Sequence, residues 1–221
     1  MPIDFTRLAA VEVFLRERLA QPLPAAEAHL RFAPRPAREE WRPDDRPQQA
    51  RRAAALILIY SGEHGATIPL TVRHTDLPDH PGQVSLPGGR IDLDESAEAA
   101  ALRETHEEIG VSPHSVRVLG ALSTLWVIVS NHLVQPFVGI TDTRPAFEIA
   151  AREVEALVEM PLANLHDLTR IGWERRIRDG MSVDYPYFQL VDHQVWGATA
   201  MILGEFGALF DSEFGPRAMK Q

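Results

Sequence analysis

Between Gly89 and Val111 the chain reads GRIDLDESAEAAALRETHEEIGV, with acidic residues at helical steps. A helix over residues 96–109 stacks positions three and four apart on one face, so Glu104, Glu107 and Glu108 project together. Carboxylates that close repel one another unless a cation lies among them. An all-oxygen donor set of this kind suits Mg²⁺ or Mn²⁺, with water and phosphate oxygens completing the coordination sphere. Arg103, beside Glu104, can fix that carboxylate through paired hydrogen bonds, and Glu95 at the helix start can meet Arg103 or the preceding loop. Ahead of the helix, Pro87-Gly88-Gly89 gives a turn in which a backbone carbonyl can approach a metal or a phosphate closely.

The helix that must position these groups is well specified. Asp94 or Ser96 can cap its start, AEAAALRE is built of strong helix formers, and Gly110 stands where a left-handed residue closes the last turn. Ala101, Leu102, Thr105 and Ile109 form its core-facing stripe, which turns the carboxylates toward a groove. Around it, AAALILIY (53–60) reads as a buried strand and TIPLTVR (67–73) as its hairpin partner. SVRVLGAL (115–122), LVQPFVGI (133–140) and EVEALVEM (153–160) read as further strands, and VWGATAMILGEFGALF (195–210) as a closing helix. Phe5, Leu8, Val11, Phe14, Leu15 and Leu19 predict an amphipathic N-terminal helix that packs on the domain or on a second copy of it. Residues 21–49 carry Pro22, Pro24, Pro34, Pro36, Pro43 and Pro47, a density that breaks regular structure and suggests a covering arm. The expectation is a helix and proline-rich arm over 1–49, then one α/β domain over 50–221, a mixed sheet with helices on both faces.

Composition narrows the chemistry. With 221 residues and 45% hydrophobic content, one well-buried core is the default. No cysteine is present, which excludes disulfides, thiol catalysis and zinc-thiolate centres. His64, His74, His80, His106 and His132 do not form a spaced metal pair, so acidic ligands remain. A net charge of -9 argues against nucleic-acid and anionic-membrane partners. No apolar stretch is long enough to span a bilayer and the first residues lack a secretory pattern, so the expected location is the cytoplasm. The glycine pair is not a phosphate-cradling kinase loop, since no Lys-Ser or Lys-Thr follows it.

The stretch from Gly89 to Val111 resembles the Nudix box: Gly, five residues, Glu, seven residues, Arg-Glu, two residues, Glu-Glu, one residue, Gly and an aliphatic residue. Thr105 departs from the aliphatic residue usual at its position. The resemblance implies a Nudix-type α/β/α sandwich and a hydrolase of nucleoside diphosphate derivatives. It matches Glu104 and Glu108 to metal ligands, Glu107 to a ligand or metal-water partner, the Gly88 carbonyl to a backbone ligand, and Gly89 to the substrate-side loop. Arg103 and Glu95 match supporting positions. The general base stays open between Glu107 and an acid from another loop, for which Glu153 is the candidate.

The flanks resemble the coenzyme A pyrophosphatase branch. In LTVRHTDLPDHPGQVSLPGGRID (70–92), Leu70, Thr71, Arg73, Gly82, Val84, Pro87, Gly88, Gly89 and Asp92 match, whereas Pro69, His74, Thr75 and Leu86 depart. Pro78 stands where many members carry a basic residue. Arg73, at a strand end, is a candidate phosphate contact. The resemblance implies cleavage of coenzyme A or acyl-coenzyme A to 3',5'-ADP and 4'-phosphopantetheine. The alternatives are a Nudix pyrophosphatase for a dinucleotide, ADP-ribose or nucleotide sugar, and a noncatalytic nucleotide sensor. Association into a homodimer is left open.

Overall fold

The computed structural model describes residues 3–76, 81–211 and 213–216; Pro78 and His80, singled out above, lie outside them. Two helices open the chain, α1 (Leu8–Leu19) and α2 (Ala25–Arg31). Strands β1 (Arg51–Gly62), β2 (Gly65–Arg73), β3 (Val84–Ser85) and β4 (Gly88–Arg90) lead into helix α3 (Ala97–Ile109). Strands β5 (Arg117–Ala121), β6 (Leu125–Val127), β7 (His132–Ile140) and β8 (Val154–Pro161) follow, then the single-turn α4 (Leu162–Leu165). The last elements are β9 (Ile171–Arg178), β10 (Met181–Gln189), β11 (Gln194–Trp196) and helix α5 (Gly197–Ala208).

The main sheet is mixed and centred on β1. It runs parallel to β7 from Arg51 to Ile59 and antiparallel to β4 from Ala53 to Ala55, with Ala55 opposite Gly88, and its far end turns through a hairpin into β2. β2 pairs antiparallel with β8 and with β3, and β7 with β5 and β6. The continuous apolar run of β1 is explained by burial on both faces. Ala54, Leu56 and Leu58 meet Ala100, Ala101 and Ile109 of α3, while Ala55, Ile57 and Ile59 join the larger core with Val11, Leu15, Leu203 and Phe206 of α1 and α5. An α/β sandwich with helices on both faces results. No helix among the described residues is long and apolar enough to cross a membrane.

Several elements differ from the sequence expectation. The proline-dense stretch is not irregular throughout: α2 forms within it, and Phe32 and Trp41 are buried. Trp41 Nε1 donates to the Trp126 carbonyl (2.8 Å) and Arg46 to the Thr124 carbonyl (2.8 Å), which fastens the arm to the β6 edge. Val195 and Trp196, read as the start of the closing helix, instead belong to strand β11. A small antiparallel sheet, β11-β10-β9, was not expected at all. On α3 the core stripe includes Ala100, while Leu102 is half-buried.

Candidate active site

Helix α3 starts at Ser96, whose hydroxyl accepts from the Ala99 N–H (3.1 Å), and ends at Gly110 in the left-handed region (φ 75°). Ser96 rather than Asp94 is therefore the cap. The helix lies across β1 and β4, and this docking brings its acidic face against the Gly88-Gly89 strand. A Cβ on Gly89 would overlap the Glu104 carboxylate and push it from its place. A Cβ on Gly88 would overlap the backbone of Ala54 and Ala55.

Arg103 organises the acids. Its Nε and one terminal nitrogen donate to the two oxygens of Glu95 (2.9 and 3.0 Å), and that same nitrogen reaches the Arg90 carbonyl (2.9 Å). The other terminal nitrogen donates to Glu104 (2.9 Å) and Glu107 (3.1 Å). The five N–H donors of the guanidinium are thus matched by five contacts. Glu95 also accepts from the Asp92 N–H (3.1 Å), which ties the loop to the fork. Arg103 holds the Glu95 carboxyl below the usual range, with the Asp92 N–H assisting.

Glu108 departs from the expected outward orientation. It is only 5% exposed, turned into the seam between α3 and β4, and the contact recorded for its side chain is from the Gly88 N–H at 3.3 Å. Loss of water pushes its carboxyl up to about 8, opposed by the Gly88 N–H and by the charge of Arg73, and reinforced by Glu104 and Glu153. Glu104 is also pushed up, first by desolvation, with Arg103 opposing and Glu107 and Glu153 adding to the rise. Arg73 at the end of β2 and Glu153 at the start of β8 are therefore within electrostatic reach of the carboxylates. The pairing of Arg73 with Val154 and the hydrogen bond from the His74 N–H to the Glu153 carbonyl (2.8 Å) bring them there. Glu153 itself is exposed.

The donor set fits a hard divalent cation. Glu104 and Glu108 supply carboxylate oxygens whose charge is poorly solvated, and a cation relieves that directly. Among the described residues no three acidic or His side chains converge into a complete cage. Mg²⁺ is commonly held by one or two carboxylates while water and substrate phosphate fill the remaining positions. The site brings together Gly88, Gly89, Glu95, Arg103, Glu104, Glu107 and Glu108, with Arg73 and Glu153 at its margin.

A second buried carboxylate escaped the sequence reading. Glu205 of α5 is 0% exposed and accepts from His29 Nε2 (3.0 Å), the Ala25 N–H (3.1 Å) and the Ser123 N–H (3.1 Å). Its only local sign is a lone Glu in an apolar helix.

A NUDIX domain pattern matches residues 50–176. A protein of Enterobacter sp. (strain 638) named "Uncharacterized Nudix hydrolase NudL" is 38% identical over 159 residues, covering 70% of this chain and 80% of that protein. The protein of the same name from Escherichia coli (strain K12) is 39% identical over 164 residues, covering 70% and 80%. In three dimensions, the MutT protein from Methanosarcina mazei Go1 aligns with a TM-score of 0.47 at 17% identity, over 76% of this chain and 98% of that one.

Proposed function

The chain belongs to the NUDIX domain family and is a pyrophosphohydrolase of nucleotide derivatives, and we propose that its substrate is coenzyme A or an acyl-coenzyme A. The observation that carries this reading is the placement of Arg73. Flanking residues that resemble the coenzyme A branch lie on β2 and β3, and the charge of Arg73 at the end of β2 is close enough to Glu108 to oppose the rise of its carboxyl pKa. A cation at that point offers a phosphate contact beside the site where the diphosphate is cut.

Family members generally use divalent cations, and here Mg²⁺ or Mn²⁺ would be held by Glu104, Glu108 and the Gly88 carbonyl. When bound, such an ion neutralises phosphoryl oxygens and lowers the pKa of coordinated water. Arg103 keeps Glu104 in one orientation and anchors it to Glu95 and to the loop at Arg90. Of the two base candidates, both exposed, we favour Glu153: Glu107 turns one oxygen to Arg103 (3.1 Å), whereas Glu153 acts on both Glu104 and Glu108. The base takes a proton as the water oxygen bonds to phosphorus. The bridging P–O bond breaks and its electron pair leaves with the second phosphate, giving two phosphomonoesters.

The test incubates the purified protein with Mg²⁺ or Mn²⁺ and coenzyme A, dephospho-coenzyme A, ADP-ribose, NADH and diadenosine polyphosphates, with products identified by mass. The expected result is 3',5'-ADP and 4'-phosphopantetheine from coenzyme A at the highest kcat/KM. Preference for a substrate lacking the 3'-phosphate overturns the coenzyme A reading and leaves the hydrolase intact.

A further inference from the structure

The small sheet ends on β9, and among the described residues no strand lies beyond it. The direction of its backbone groups follows from its neighbour. Asp184 of β10 exchanges both of its backbone hydrogen bonds with Arg35 (2.8 Å each), on the side away from β9. Arg175, directly opposite Asp184, is therefore a non-hydrogen-bonded position of the β9–β10 ladder, and its N–H and C=O point to the outer edge. By the two-residue period of a strand, the same holds for Ile177. The Ile177 side chain is 71% exposed, and Met181 across the hairpin end is exposed as well. An eight-residue open edge carrying an exposed isoleucine is a template for another strand.

We propose that β9 is a self-association edge, pairing antiparallel with β9 of a second copy about a two-fold axis at Arg175. The charges select this partner and this register. A two-fold axis perpendicular to the joined sheets keeps each face continuous. With the axis at Arg175, Glu174 and Arg176, which pair with each other within one chain, lie opposite Arg176 and Glu174 of the second copy and complete a ring of four alternating charges, and Ile177 lies opposite its Trp173. The two Arg175 side chains meet at the axis, each already neutralised by a bidentate Asp184 (2.8 and 3.1 Å). An axis at Glu174 sets two Glu174 carboxylates face to face, axes at Trp173 or Ile177 oppose arginines, and an axis at Arg176 sets two Arg176 side chains together and places Ile177 opposite Arg175. One β9 edge per copy closes the assembly at two. This inference stands independently of the substrate.

Sedimentation velocity on the full chain over a wide concentration range tests it, with hydrogen exchange at each concentration. A monomer–dimer equilibrium is expected, in which the amides of Arg175 and Ile177 gain protection with concentration. Those of Glu174 and Arg176, already turned toward β10, should not change. Ile177→Pro removes an outward N–H and leaves the β9–β10 ladder whole, and Ile177→Asp changes only an exposed side chain. Each should raise the dimer dissociation constant about tenfold or more, with the Tm unchanged at dilutions where both proteins are monomeric. A chain that stays monomeric throughout overturns the proposal, as does a dimer indifferent to both substitutions or protected elsewhere.

Discussion

Glu108 and Glu205 are both buried carboxylates on helices that flank the same central strand, one on each face, yet the protein equips them very differently. Glu205 has two backbone N–H groups and an imidazole converging on it, at 3.0 to 3.3 Å. Among the described residues Glu108 accepts from one backbone N–H at 3.3 Å, while two further carboxylates, Glu104 and Glu153, act on it. A buried charge given its full set of donors is a fastening; one left short is prepared for something that arrives later. On the proposed reading Glu205 is a fastening and Glu108 a ligand for the cation, and the number of donors around each is what separates them.

Four substitutions or titrations probe that distinction. The largest effect should come from Glu108→Gln, with kcat falling roughly 10²–10³-fold because a ligand charge for the cation is lost, while circular dichroism shows an intact fold. Wild-type turnover in this variant would mean that Glu108 is a fastening after all. Next comes Glu205→Gln, which turns an amide nitrogen toward inward-pointing donors. It should cost about 3–5 kcal/mol of stability, read as a lowered Tm, with activity per folded molecule preserved. A loss of activity at unchanged Tm would merge the two sites into one.

The pH dependence of the metal-free protein gives the third test. Glu108 has its folded-state pKa raised from 4.5 to about 8, so the folded state binds its proton more tightly and stability falls as pH rises across that window. The Tm advantage of Glu108→Gln over wild type should therefore grow between pH 5 and pH 8, and added Mg²⁺ should stabilise the wild type more than the variant. A flat difference would refute the strained carboxylate. The smallest effect belongs to Thr105, a buried hydroxyl already satisfied by the Ala101 carbonyl (2.7 Å). Thr105→Val should change stability by no more than about 1 kcal/mol, measured by urea unfolding.

What could be read from the sequence follows the range of the interactions involved. Helix α3 was legible because its caps, its periodicity and its acidic spacing are all local, and the box pattern identified the reaction class. The burial of Glu108 was not, since it arises only when β4 brings Gly88 under the helix. The His29–Glu205 pair joins residues 176 positions apart, and nothing local marks either partner. Two omissions did have a local sign. Ala25–Arg31 is an alanine-rich run preceded by Pro24, a helix start despite the surrounding prolines. Asp179-Gly180, both at positive φ, marks the β9–β10 hairpin.

Glu205 also has a consequence for anyone who cuts this gene. The matched family region, residues 50–176, contains Ser123 but neither His29, Ala25 nor Glu205. A clone trimmed to it would keep the whole acidic centre while losing the helix that covers Ile57 and Ile59. Expression boundaries drawn from the family pattern would thus remove about half of the larger core cluster, and a workable product has to retain helix α1 with its buried Val11 and Leu15, the arm, and the C-terminal segment through Phe214.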